Sequence, residues 1–93
     1  MRIKPHPGEM LREEFLKPLD MSGRALADAI GVPHNRINDI LRARRGVSAD
    51  TAIRLGKYFR TSPEMWLNMQ AAHELSKARA EHAKDYDRVP EHA

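Results

Sequence analysis

Between positions 34 and 45 the chain sets out His34, Asn35, Arg36, Asn38 and Asp39, followed by Arg42, Arg44 and Arg45. These residue types can address nucleic acid. An Asn amide pairs two-pronged with adenine, a guanidinium with guanine, and a carboxylate accepts from the amino group of cytosine. Arginine's planar fork also matches phosphate oxygens better than the point charge of lysine. If the segment is helical, Ile37, Ile40 and Leu41 fall on one side and the polar residues on the other. The N-terminal half of a groove-bound helix reaches deepest, so His34, Asn35, Asn38 and Asp39 are base-edge candidates. Arg36 could read guanine or clamp a phosphate. Arg42, Arg44 and Arg45, with Ser22 and Arg24 ahead of them, make a candidate phosphate clamp. The same outward face would also serve as an ordinary solvated surface, and the terminal arginines would also complement a helix dipole.

Other chemistries find little support. The five histidines (His6, His34, His73, His82, His92) show no pairing at metal-ligand spacing. His73-Glu74 begins like a zinc-protease motif, but Lys77 stands where the second His must be. No glycine-rich phosphate loop occurs, and no Ser is flanked like a nucleophile elbow. With no cysteine, disulfides, thiolate metal sites and thiol catalysis are excluded. No catalytic residue, cofactor or metal is expected, and an enzyme reading has nothing in its favour.

The charge is lopsided. Residues 1–21 are net zero, residues 22–60 net +5 and residues 61–93 net −2. Seven of the eight cations in the middle stretch are arginine, which suits a polyanion. The chain has 93 residues, 41% hydrophobic and 31% charged, the composition of one soluble domain rather than a disordered segment. No apolar run is long enough to cross a bilayer and no signal-peptide core follows Arg2 and Lys4, so a cytoplasmic location is expected.

Helical spacing recurs throughout, so the expected class is all-α with five helices. An extended arm with Pro5 and Pro7 precedes a helix over roughly residues 8–16, ended by Pro18. Ser22 caps a second helix, with Met21 stapling onto Leu26, and Gly31 stops it. Pro33 fits the first position of a third helix. Ser48 caps a fourth, whose Gly56 implies close approach of a neighbour, and Ser62-Pro63-Glu64 starts a fifth. The tail over residues 76–93 is expected to fray from helix into disorder, leaving residues 1–75 as the folded domain.

Helices two and three are joined by a very short turn, the geometry of a helix-turn-helix. That unit needs an apolar-small pair where the helices cross, an apolar residue before the turn, a residue tolerant of positive φ, an apolar plug, and two apolar anchors three apart. Leu26-Ala27, Ile30, Gly31, Val32, and Ile37 with Ile40 meet these demands in order. The expected fold is therefore a five-helix DNA-binding domain built on a helix-turn-helix, and as such it resembles the lambda-repressor-like fold.

The chain resembles the Xre-like helix-turn-helix proteins, and among them the HigA-type antidotes of toxin–antitoxin modules. The matching stretches are Pro7-Gly8-Glu9-Met10-Leu11-Arg12-Glu13-Glu14-Phe15-Leu16, Leu26-Ala27 through Gly31-Val32-Pro33, Arg36-Ile37-Asn38-Asp39-Ile40, residues 45–55, and Thr61-Ser62-Pro63-Glu64-Met65-Trp66-Leu67-Asn68-Met69-Gln70. The resemblance implies a bacterial DNA-binding protein that represses its own operon and neutralises a HigB-type toxin, a RelE-like mRNA-cleaving nuclease. It also implies base contacts at His34, Asn35, Arg36, Asn38 and Asp39. His34 stands where family members often carry a small residue or proline, so the target sequence cannot be carried over. A stand-alone Xre-type regulator without a toxin is the runner-up, and a helical interaction module with no DNA role is a third reading.

One unit of this size makes too few contacts for tight specificity, so a homodimer on a palindromic double-stranded operator is expected, its half-sites about 34 Å apart or a multiple of that. The expected seam is Met65, Trp66, Met69, Ala72 and Leu75 on the fifth helix. A toxin that grips RNA should be basic, so it should avoid the basic middle. Residues 1–21, with Glu9, Glu13, Glu14 and Asp20, and the acidic residues 61–93 are the better electrostatic match.

Overall fold

Gly8 decides where the first helix sits. In the computed structural model, which describes residues 2–92, a β-carbon built on Gly8 would lie 1.9 Å from the carbonyl oxygen of Ile40. Only a residue without a side chain lets the two backbones approach so closely. The first helix, α1 (Pro7–Met10), therefore rests against the end of the third, and Arg12 reaches across to donate from Nη1 to the Leu41 carbonyl at 3.0 Å. Beyond Met10 the chain widens into π-type turns over Leu11–Leu16, marked by Lys17 N–H bonding five residues back to the Arg12 carbonyl at 3.0 Å. Leu11 and Leu16 enter the core from these turns.

His6, not a serine or aspartate, caps α1. Its Nδ1 accepts from the Gly8 N–H at 2.9 Å, so that nitrogen must be unprotonated. The arm that carries it is clipped to the far end of the sequence: Lys4 N–H donates to Ser76 Oγ at 2.8 Å, and His73 Nδ1 donates to the Lys4 carbonyl at 2.7 Å. Burial lowers the His6 pKa below its ordinary 6.5, reinforced by the nearby His73 and Lys77 and opposed by a backbone bond at Arg45 and by Glu74. A depressed folded-state pKa gives stability that is whole above 6.5 and lost as the pH falls through the lowered value. Unfolding midpoints should therefore drop between pH 7.5 and pH 5.5, and less steeply in His6→Asn, whose amide caps without titrating. Equal slopes for the two proteins would remove His6 from the account.

The remaining helices follow from local signals. In α2 (Gly23–Ile30) Ser22 Oγ accepts from Ala25 N–H at 3.0 Å. The helix stops at Gly31, held left-handed at φ 74°. In α3 (His34–Leu41) the start differs from expectation by one position: Pro33 is the cap, with extended ψ 145°, and its carbonyl accepts from Arg36 N–H. Ser48 caps α4 (Ala49–Phe59), and Gly56 lies where a β-carbon would meet the Thr61 carbonyl at 2.7 Å, the close approach expected for it. Ser62 caps α5 (Pro63–Asp87). Among the described residues there are five helices and no strand, the expected all-α class.

The tail departs from expectation. No break falls at residue 76; α5 continues to Asp87, interrupted only by the non-helical His82 (φ −130°, ψ 25°). Two causes act together. Ala, Lys, Arg and Glu are strong helix formers, and Ser76 is buried under the arm rather than facing water. The overhanging helix draws the molecule out to 51 Å along one axis against 22 and 20 Å across. No helix is long and apolar enough to cross a membrane.

The core gathers Leu11, Leu16, Leu26, Ala27, Ile30, Val32, Ile37, Ile40, Val47, Ala52, Leu55 and Trp66. All seven helix-turn-helix positions read from the sequence do what was expected of them: six are buried and Gly31 makes the turn.

Candidate nucleic-acid interface

α3 is fixed at both ends and along its inner side. Ile37 and Ile40 are fully buried beneath it. Gly8 and Arg12 hold its C-terminal end. On the other side Arg54 of α4 donates from Nη1 to the Ile30 carbonyl at 2.8 Å and to Gly31 at 3.4 Å, tying down the turn that leads into α3. A reading helix needs this rigidity, because base recognition requires side chains placed to a fraction of an ångström.

The outward residues divide into two kinds. Asn35 and Asn38 are exposed, and among the described residues their side chains make no hydrogen bond, so both amides keep their full donor and acceptor capacity for an adenine edge. The other three are engaged. His34 Nε2 lies 2.7 Å from Asp28 Oδ1, Arg36 Nη1 lies 2.8 Å from Asp50 Oδ2, and Asp39 Oδ2 lies 3.6 Å from Arg45 Nη2. These three thus have a set orientation before any partner arrives.

The candidate phosphate contacts also separate. Arg24, Arg42 and Arg44 are exposed and form no ion pair among the described residues. Arg45 is tethered to Asp39, and the loop that holds it is pulled in where the Asp39 carbonyl accepts from Arg44 N–H at 2.8 Å and Arg45 N–H at 3.3 Å. Ser22 Oγ uses one of its lone pairs to cap α2, leaving its hydroxyl proton free to donate. Arg24 and Ser22 start α2, which packs at Gly23 against Asn38 and Leu41, and Arg42 and Arg44 follow the end of α3, so these groups gather towards the C-terminal end of the reading helix.

Of the five expected seam residues, one is misplaced. Trp66 is fully buried in the monomer, its Nε1 donating to Thr61 Oγ1 at 2.8 Å and its ring 5.3 Å from that of Phe15. It belongs to the core because Phe15 comes off the π-type turns towards it, leaving no face for a second chain. Met65 and Met69 are half-buried against that core, whereas Ala72 and Leu75 are exposed, Leu75 by 53%.

Sequence reasoning missed Gly8 as a contact, His6 as a cap, and both Arg54 and Asp50 as supports of α3. Asp50 and Arg54 are four apart on a helix, a spacing that signals a local ion pair. Nothing in the sequence ties Arg54 to a carbonyl 24 positions away.

Comparison with known proteins decides the family. A helix-turn-helix family, HTH_3, matches residues 12–66, more than half of the chain and all of α2, α3 and α4. The chain belongs to the helix-turn-helix family. Within it, the chain is 55% identical over 73 residues to virulence-associated protein I of Dichelobacter nodosus, covering 78% of this chain and 68% of that one. It superimposes on the solved structure of antitoxin GraA with a TM-score of 0.96 at 44% identity, over all of both chains. It is similar as well to Pseudomonas aeruginosa antitoxin HigA, solved with the higBA promoter, with a TM-score of 0.89, 48% identity, and 94% of this chain and 95% of that one covered. The match extends well beyond the helix-turn-helix pair and takes in the arm and α5.

Proposed function

We propose that this protein is a sequence-specific DNA-binding antitoxin: it binds a palindromic operator through α3, represses its own operon, and neutralises a HigB-type toxin. The observation that carries the DNA half is the rigid α3 with two unengaged amides, Asn35 and Asn38, and the unpaired guanidiniums of Arg24, Arg42 and Arg44 towards its C-terminal end. Likeness over nearly the full length to antitoxins GraA and HigA supports the toxin half.

Base and phosphate contacts are separable by experiment. Asn35→Ala should cost about 1–3 kcal/mol on the operator and little on random DNA. Arg44→Ala should weaken both alike and reduce the salt slope by roughly one unit. Equal losses on both duplexes for Asn35→Ala would remove its base-reading role.

A homodimer through the exposed part of α5, Ala72 and Leu75 with the rims of Met65 and Met69, suits a two-fold operator. Glu9, Glu14 and Asp20 are exposed near the start of the chain, and Glu13 beside them is paired with Lys17 at 2.6 Å. This acidic side and the acidic end of the chain suit a basic toxin and leave α3 free for DNA. Co-expression with the reading frame beside this gene tests the partner. The toxin should arrest growth alone, be rescued by this protein and co-purify with it. Rescue should survive Arg44→Ala combined with Arg45→Ala; its loss in a folded variant would contradict separate surfaces. A neighbour that is harmless when expressed alone would favour the stand-alone regulator.

A further inference from the structure

Arg36 points outward from the reading helix, yet its guanidinium is not free. Nη1 meets Asp50 Oδ2 at 2.8 Å, and the same oxygen accepts from Arg54 Nε at 3.1 Å. Arg54 then donates to the carbonyls of Ile30 and Gly31. A continuous path of contacts therefore runs from the reading helix, through the first turn of α4, to the turn that launches α3. Two properties follow. The Arg36 side chain is held in one orientation and is only 30% exposed. Two guanidiniums share one carboxylate, so one of their two charges is offset where they stand.

We propose that Asp50 is a specificity-determining positioning residue: it orients Arg36 for a base edge and withholds it from indiscriminate phosphate contact. This rests on the operator-binding reading above. Phosphate attraction is sequence-independent and grows with each unpaired cation. Base readout instead needs a donor fork set at a fixed angle. An arginine anchored by a carboxylate loses phosphate attraction and gains orientation, so the ratio of selected to random binding rises. Asp28, 2.7 Å from His34, stands in the same relation to its neighbour on α3.

The test uses the full chain and two duplexes: one recovered by the wild-type protein from a random-sequence library, and a shuffled duplex of the same composition. Both are titrated across a salt series. Asp50→Ala should bind the shuffled duplex more tightly, with a salt slope steeper by about one unit. Its ratio of selected to shuffled affinity should fall roughly fivefold or more. In Asp50→Ala with Arg36→Ala the gain on shuffled DNA should vanish, because the released guanidinium is its source. Asp50→Glu, which keeps the charge, should recover most of the ratio. Should Asp50→Ala fail to fold, Asp50→Asn carries the same expectation without a change in size. A merely structural role would weaken both duplexes together and would not steepen the slope. An unchanged ratio in Asp50→Ala, parallel losses on both duplexes, or a gain that persists without Arg36 would overturn the inference. A wild-type protein that recovers no preferred duplex would overturn the operator reading itself, which is a different failure.

Discussion

Adding one methyl group at Gly8 should lower the thermal midpoint by roughly 12 °C or more. The reasoning is geometric. The new β-carbon would sit 1.9 Å from the Ile40 carbonyl oxygen, and neither atom belongs to a side chain that can rotate away. Relief requires α1 to move off the end of α3, which also breaks the Arg12 bond to the Leu41 carbonyl. Overpacking that shifts backbone costs about 1–3 kcal/mol and occasionally more, and a 1.9 Å clash against a main-chain carbonyl belongs at the upper end. A domain of this length is stable by only about 5–14 kcal/mol, so the loss is a large share. Gly46→Ala is the informative contrast, because its β-carbon would meet the end of the flexible Gln70 side chain at 2.7 Å. Gln70 can swing aside, losing its 3.0 Å bond to Val47 N–H, so that variant should lose clearly less. Differential scanning calorimetry on the two variants settles the point. Similar midpoints for Gly8→Ala and Gly46→Ala would contradict the close approach of α1 and α3.

Trp66→Ala should cost about 3–5 kcal/mol, the range for emptying a buried aromatic site. The indole is fully enclosed, stacked at a tilt near Phe15, and hydrogen-bonded to Thr61. Its removal opens a cavity beneath α5 and leaves the Thr61 hydroxyl without that donor. Trp66→Phe keeps most of the volume and should lose less. The experiment also separates two roles for the residue. A core tryptophan destabilises the monomer when truncated, so unfolding in urea should shift at every protein concentration. A seam tryptophan would lower the association constant and leave the dilute monomer's stability intact, and that outcome would contradict its placement. Leu75→Glu should behave in the opposite way, weakening self-association with little effect on the monomer.

The helix-turn-helix unit was legible because its demands are local. Leu26, Ala27, Ile30, Gly31, Val32, Ile37 and Ile40 lie within a short stretch, and helical spacing alone says which of them share a face. The caps at Ser22, Ser48 and Ser62 were legible for the same reason: a serine before an apolar-periodic run satisfies orphan N–H groups whatever surrounds it. What escaped depends on contacts between distant positions. His6 becomes a cap only because burial and Gly8 place its ring over the first turn. Ser76 is held by Lys4, 72 positions away, so a polar residue that reads as the start of a loose tail is instead an anchor. From the sequence Trp66 reads as a seam residue, because a small domain does not need many large residues. The π-type turns over Leu11–Leu16, which turn Phe15 towards it, leave no local mark in the sequence. The outward face of α3 was legible as a set of residues but not as a set of states. Spacing puts Asn35, Arg36 and Asn38 outside; only the fold shows that Arg36 is held by Asp50 while the two amides are unengaged.

The central claim is that α3 reads sequence, and a competition titration tests it most directly. The wild-type protein is bound to a duplex recovered from a random library and displaced by a shuffled duplex of equal length, at one fixed salt concentration near physiological. Selective recognition predicts a preference of about a thousandfold or more for the recovered duplex, surviving in Arg44→Ala and reduced in Asn35→Ala. Equal displacement by both duplexes, with all affinity vanishing as salt is raised, would mean that the basic middle of the chain only attracts phosphate and that α3 reads nothing.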